Sequence, residues 1–145
     1  MDELDGKIVE ELEGNSRLSF REMAKKLGVS TSTIAQHSKM LEREKIVRRY
    51  SVDLDWEKLG FDLTALIELT IRGQPLLKVQ AQIAKLPQVV SVWDITGAFD
   101  SMALVRVKNR RELSATVKKI LDIEGVEHSD THLILNTVKE NYLTL

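Results

Sequence analysis

Two helix starts eleven residues apart, Ser19 and Ser30, with a glycine between them, leave the first third of this chain few ways to fold. Ser19-Phe-Arg-Glu22 is a capping box, in which the serine hydroxyl and the glutamate carboxylate satisfy amides left open at a helix start. Met23, Ala24 and Leu27 then share one side of a helix ending near Leu27. At Gly28 the chain can turn with positive φ at no steric cost, and Val29 is placed to plug the turn. Ser30 caps a third helix whose inward row is Ile34, Ser38 and Leu41. Upstream, Leu4, Ile8 and Leu12 recur at helical spacing from Asp2 to Glu13, and Gly14-Asn15 supplies the stop. Together these elements spell a helix-turn-helix behind a first helix.

The face opposite Ile34 and Leu41 is polar and basic. At about 100° per residue it carries Ser32, Gln36, Lys39 and Arg43, with Thr33, His37 and Met40 on one flank. Small hydroxyls at Ser30, Thr31, Ser32 and Thr33 permit close approach to a phosphate backbone. Gln36 carries the donor and acceptor that match an adenine edge, and Lys39 and Arg43 suit phosphate or guanine. The charge distribution agrees. Residues 1–15 hold one lysine against six acids, residues 16–51 hold nine basic residues against three acids, and residues 61–145 balance at ten each. A basic block in a chain of net charge −1 is the footprint of a polyanion partner, although such a face also serves simply as a solvated one. The same composition excludes other classes. Without cysteine there is no disulfide, thiolate metal site or cysteine nucleophile. No run approaches the roughly 18 apolar residues of a membrane span, and the acidic start is no signal segment, so a cytoplasmic location is expected.

Ile46-Val-Arg-Arg-Tyr-Ser-Val52 is β-branched and aromatic and reads as a strand leaving the helical unit. Its Arg48 and Arg49 are placed either to clamp a duplex backbone or to solubilise an edge strand. The expected division is a helix-turn-helix domain over 1–52, a hinge over 53–61 in which Trp56 and Leu59 pack against one domain, and a second domain over 62–145. That second domain shows one pattern twice. Leu63 to Ile71 alternates as a strand, Pro75 starts a helix with Leu76, Val79, Ile83 and Leu86 inside, and Val89 to Ile95 is a strand. Asp100 to Val107 opens the second copy, followed by a helix with Leu113, Val117, Ile120 and Leu121 inside and a strand from Val126 to about Val138. The class is therefore α+β: a winged-type helix-turn-helix followed by a ferredoxin-like βαββαβ domain. Leu66, Met102, Leu104 and Ile134 are out of phase with the inward rows, which predicts apolar residues on both sheet faces and a homodimer that covers the second face.

Thr96-Gly97-Ala98-Phe99-Asp100 joins the two copies. It reads either as a plain β-turn or as one wall of a pocket, with Asp100 meeting a ligand ammonium, backbone amides a carboxylate, Phe99 shielding both, and Thr131 a neighbouring donor. No metal site stands out: His128 and His132, four apart on a strand, lie about 13 Å apart, and His37 is elsewhere.

Nearly the whole chain resembles the Lrp/AsnC, or feast/famine, family of transcription regulators. The resemblance rests on Leu4-Asp5 with Ile8 and Leu12, Arg17-Leu18-Ser19, Leu27-Gly-Val-Ser30, Ile46 through Arg49-Tyr50 to Leu59-Gly60, Thr96-Gly-Ala-Phe-Asp100 as a T-G-x-[YF]-D loop, and Gly125-Val126 with Thr131 and Val138-Lys-Glu140. It implies double-stranded DNA as partner, a dimer paired through the C-terminal sheets, assemblies up to octamers, an amino acid as effector near the loop, and no cofactor. Three positions depart from the family pattern: Gln36-His37 where the third helix often carries an arginine, Lys45 where a glycine is common, and Ser101 where a larger apolar residue is common. Two rival readings share the architecture. A siroheme-decarboxylase-like enzyme would need histidine and arginine around the hinge, and Tyr50 to Trp56 holds no histidine. A metabolite-binding regulatory subunit of an enzyme would not need the basic block.

Overall fold

The computed structural model describes residues 1–140, which form two compact units, Met1–Leu54 with Glu140 and Asp55–Lys139. No helix among them is long and apolar enough to cross a membrane.

The first unit is three helices, α1 (Glu3–Gly14), α2 (Phe20–Leu27) and α3 (Thr31–Arg43). The sequence punctuation operates as read. Ser19 and Glu22 close a reciprocal capping box, Gly28 ends α2 at φ 70°, and the Ser30 side chain accepts from the Thr33 amide. Asp2 and Asp5 form a second reciprocal box at the start of α1. Ile8, Met23, Ala24, Ile34 and Leu41 make the core, with Leu12, Leu27, Val29 and Val47 packed around it.

The strand expected over Ile46–Val52 does not form. The Ile46 and Val47 amides instead donate to the Leu41 carbonyl at 2.9 and 3.1 Å, folding the chain back over the end of α3 through Lys45 at φ 58°. A β-prone segment becomes a strand only where a ladder partner exists, and the described residues of the first unit contain none.

The second unit runs β1 (Leu63–Ile71), α4 (Leu76–Ile83), β2 (Val89–Asp94), β3 (Ser101–Val107), α5 (Arg110–Leu121) and β4 (Val126–Leu133). The antiparallel sheet has the order β2-β3-β1-β4, the ferredoxin-like arrangement. Ile67 stands between Ala103 and Thr131, and Ala65 between Val105 and Leu133. Ala65, Ile67, Leu69 and Ile71 face α4 and α5 and are buried with Val79, Ile83, Ala103, Val105 and Ile120. The last strand stops five residues short of Val138. Its final ladder bond is Ile134 N–H to the Thr64 carbonyl at 2.9 Å, β1 begins at Leu63, and Leu135 and Val138 are exposed. Leu121, expected inside, is also exposed. One bulge interrupts the β1–β4 ladder: Thr70 faces His128 and Ile71 faces Val126, leaving Glu127 as the extra residue.

The connector is not uniform. From Asp55 it makes a tight turn, with Phe61 N–H donating to the Trp56 carbonyl at 2.9 Å, and Trp56 meets Phe61 edge-on and lies under the Arg106 guanidinium at 4.5 Å. Trp56 thus packs within the second unit as expected, whereas Leu59 is exposed.

Candidate functional site

The outward row of α3 is displayed as the helical period demands. Ile34, Ser38 and Leu41 are buried, while Thr31, Ser32, Gln36, Lys39 and Arg43 are exposed. Gln36 and Lys39 make no hydrogen bond or ion pair with the described residues, and Arg43 meets only Glu44 at 3.4 Å. Their polar ends are therefore available to an external partner. The hydroxyls at the helix start bind one another: Ser30 Oγ lies 2.7 Å from both Ser32 Oγ and Thr33 Oγ1. Arg48 and Arg49 are exposed and line a shallow depression of about 330 Å³ with Glu42, Val47 and Tyr50, whose hydroxyl donates to Glu42 at 2.8 Å.

His37 differs from its expected place on the open flank. Its Nδ1 lies 2.7 Å from Asp5 Oδ1, and Asp5 is only 2% exposed. The second carboxylate oxygen of Asp5 accepts from the Asp2 amide at 2.7 Å. First that amide and then His37 hold the Asp5 carboxyl below the usual carboxylate range, outweighing the burial that opposes ionisation. One carboxylate therefore caps α1 and anchors α3. The spacing Asp2-Glu-Leu-Asp5 repeats the box signature recognised at Ser19 and was the available signal for half of this role. Asp2, Asp5 and His37 place one ligand atom each within 4.8 Å of one another, the only such group among the described residues, and these atoms are the ones engaged in the cap and the anchor.

In the second unit the Thr96–Asp100 loop closes over itself and against β1. Ile95 N–H donates to the Asp100 carbonyl at 3.3 Å, and Asp100 N–H to the Leu69 carbonyl at 2.9 Å. Thr96, Gly97 and Ala98 are exposed, with Gly97 at φ 125°, and Phe99 is half-buried. Asp100 Oδ2 accepts from the Ile71 amide at 2.8 Å and from Arg72 Nη1 at 2.9 Å. The carboxylate expected to be open to a ligand thus already holds a guanidinium, with Oδ1 left without a partner among the described residues. Arg72, which sequence reasoning missed, also lines a cavity of about 310 Å³ with Gly73, Gly125, Val126 and Glu127. Thr131 is not part of this group: it pairs with Ile67, four residues along β1 from Ile71, which is about 13 Å of strand. Ser101, the polar residue where an apolar one is common, has a buried partner. Gln80 Nε2 donates to Ser101 Oγ at 3.1 Å, which donates to the Trp93 carbonyl at 2.8 Å.

Two family models match. Residues 64–144 match the Lrp/AsnC ligand binding domain, and residues 1–48 match a winged helix-turn-helix DNA-binding model. An uncharacterized HTH-type transcriptional regulator of Pyrococcus abyssi is 38% identical over 142 residues, covering 98% of this chain and 97% of the relative. The HTH-type transcriptional regulator FL11 of Pyrococcus horikoshii is 31% identical, covering 97% of this chain and 93% of its own. Among solved structures, a transcriptional regulator of Neisseria meningitidis in complex with L-Met superposes with a TM-score of 0.91 at 28% identity, covering 98% of this chain and 94% of that one.

Proposed function

The chain belongs to the Lrp/AsnC family of transcription regulators, and on that premise we propose that α3 reads duplex DNA while an amino acid at the end of the C-terminal sheet tunes that grip. The observation that carries the DNA reading is the α3 row itself: Gln36, Lys39 and Arg43 stand exposed opposite a fully buried Ile34–Ser38–Leu41 row, two of the three with no partner among the described residues. Gln36 serves a base edge, Lys39 and Arg43 serve phosphate or guanine, and Ser30, Thr31, Ser32 and Thr33 let the helix start approach the backbone. Arg48 and Arg49 add phosphate contacts beside α3. His37, turned toward Asp5, acts by orienting the helix.

For the effector, the cavity lined by Arg72 and Glu127 has zwitterion chemistry, Arg72 suiting an α-carboxylate and Glu127 an ammonium, and the ion pair of Arg72 with Asp100 links it to the Thr96–Asp100 loop. The L-Met complex of the Neisseria relative supports an amino acid as the ligand class. The sheet face away from the helices carries the cross-strand pairs Leu66–Leu104 and Trp93–Met102, and a second copy of the chain covers it. A dimer so formed presents two α3 helices to half-sites, and the effector alters how many engage together.

Fluorescence anisotropy on the chain's own upstream region and on a scrambled duplex, over a salt series and with each amino acid added, tests this. Specific, salt-sensitive binding that one amino acid shifts is the expected result, and in Asp100→Ala that shift disappears while basal binding stays. Equal loss of basal binding in Asp100→Ala removes the effector role. Absence of binding in every condition removes the DNA role.

A further inference from the structure

The charge of the second unit is segregated onto one helix. Lys108 to Lys119 holds five basic residues, Lys108, Arg110, Arg111, Lys118 and Lys119, against the single acid Glu112, whereas the remaining residues of 55–139 hold six basic residues against ten acids. The Glu112 carboxylate is occupied at the helix start, accepting from the Lys108 amide at 2.8 Å and from Gln88 at 3.2 Å. Arg110, Arg111, Lys118 and Lys119 are all exposed, and none makes an ion pair or hydrogen bond with the described residues.

Their placement is not what helix stability alone selects. Lys118 and Lys119 sit favourably in the last turn of α5, but Arg110 and Arg111 are its first two residues, where the helix dipole repels a cation. The spacing has a further consequence. Leu113, Thr116, Val117 and Ile120 point to the sheet side, and Arg111 and Lys118, seven residues apart, lie together on the opposite side at a rise of about 10 Å. Arg110 and Lys119, nine residues and about 13 Å apart along the axis, flank that side from its two opposite edges. Between the two cation pairs stand only small exposed residues, Ser114 and Ala115. The major groove of B-DNA is about 12 Å wide between its phosphate walls. Two acids follow at this end, Asp122 at the helix C-cap and Glu124, which accepts from Gln74 Nε2 at 2.7 Å.

We propose that the outer face of α5 is a second duplex-DNA surface, straddling a groove with Arg110 and Arg111 on one phosphate wall and Lys118 and Lys119 on the other. It touches no base edge and carries no sequence preference, adding backbone contacts to those of α3. The choice of DNA as the polyanion rests on the DNA reading of α3.

The full chain is compared with its R110Q/R111Q/K118Q/K119Q variant by anisotropy on a random-sequence duplex of roughly forty base pairs, about four helical turns, over a salt series. Each phosphate contact contributes about 0.9 to the slope of log K against log salt, so the variant's slope is expected to be shallower by about 3 to 4. The preference for the specific site over random sequence stays the same. Its thermal midpoint stays level or rises, because two cations leave the repelling end of the helix dipole. Should the fourfold variant fold poorly, the Arg110/Arg111 and Lys118/Lys119 pairs are replaced separately, each expected to remove about half of the slope change. A slope within about one unit of the unmodified chain overturns the proposal. In Gln36→Ala with Lys39→Gln, loss of site preference is expected with most of the slope kept. A variant of α3 that keeps its preference refutes the α3 reading and leaves the α5 result standing.

Discussion

Replacing Asp5 by asparagine removes a charge that two helices share. The carboxylate accepts the Asp2 amide at 2.7 Å and faces His37 Nδ1 at 2.7 Å with 2% of its surface exposed. A capping bond is worth about 1 kcal/mol, and a hydrogen bond to a charged group about 1.5 to 3 kcal/mol. Asparagine can accept the Asp2 amide through its oxygen and donate to an unprotonated His37 Nδ1 through its NH2, but both bonds lose the carboxylate charge, so the expected loss at neutral pH is about 2 kcal/mol. At about 4 to 8 °C per kcal/mol for a small unit, the melting midpoint falls by roughly ten degrees. Both tryptophans, Trp56 and Trp93, lie in the second unit, so their fluorescence follows that unit while circular dichroism at the helical band also follows the first. Asp5→Asn is expected to lower the dichroism midpoint and leave the fluorescence midpoint in place. The pH dependence has a definite sign. Asp5 ionises more readily folded than unfolded, so its contribution is complete above the unfolded value of about 3.9 and is lost as pH falls through the lower folded value. The gap between wild type and Asp5→Asn therefore narrows below about pH 4. A dichroism midpoint unchanged at neutral pH, or a gap that widens in acid, refutes the shared-carboxylate account.

Three further outcomes follow from local geometry. Lys45 sits at φ 58° behind α3, so Lys45→Gly is expected to raise the first unit's stability by about 0.5 to 1 kcal/mol, relief of left-handed strain exceeding the added unfolded-state entropy, and a lower dichroism midpoint would contradict it. Gly125 has φ 100° and a Cβ there would stand 2.8 Å from Gln74 Cβ, so Gly125→Ala is expected to cost about 2 to 4 kcal/mol in the fluorescence-detected urea transition. An unchanged transition would mean that the Gln74 backbone yields freely. Ser101→Ala strips Gln80 Nε2 of its acceptor and the Trp93 carbonyl of a donor, an expected loss of about 2 kcal/mol that Ser101→Thr partly restores, and equal losses in both variants would show that volume rather than hydrogen bonding matters there.

The sequence carried the local features apart from Leu121, which the helical period places inside and which is exposed. Ser19, Gly28 and Ser30 mark helix ends through interactions spanning a few residues, and the inward rows of both units follow from period alone. What escaped it depends on partners distant in the chain. Ile46–Val52 has strand composition but no ladder to join, and β4 ends where β1 has no further residue to offer, neither of which is encoded in the segment itself. The same holds in the candidate sites. Gln36, Lys39 and Arg43 were legible as a face, but the anchoring of His37 by Asp5 joins residues 32 positions apart, and the pairing of Arg72 with Asp100 joins residues 28 apart. Thr131 reads as a neighbouring donor to Asp100, yet strand register sets it opposite Ile67, about 13 Å along β1 from the Ile71 amide that Asp100 holds.

The bulge at Glu127 makes β4 a counting device. In a strand, odd and even positions look out on opposite worlds, and an extra residue swaps which is which from that point onward. Because Glu127 is that extra residue, Val126 before it and Thr131 after it both fall on the helix side, level with Ile71 and Ile67, although four residues, an even number, stand between them. Were Glu127 drawn into the ladder opposite Thr70, every downstream side chain would invert: His128, Asp130 and His132 would turn under the helices, and Thr131 and Leu133 out of them. The strand is held the right way out by Glu127 standing aside from the ladder, and the same exclusion leaves its carboxylate to line the cavity.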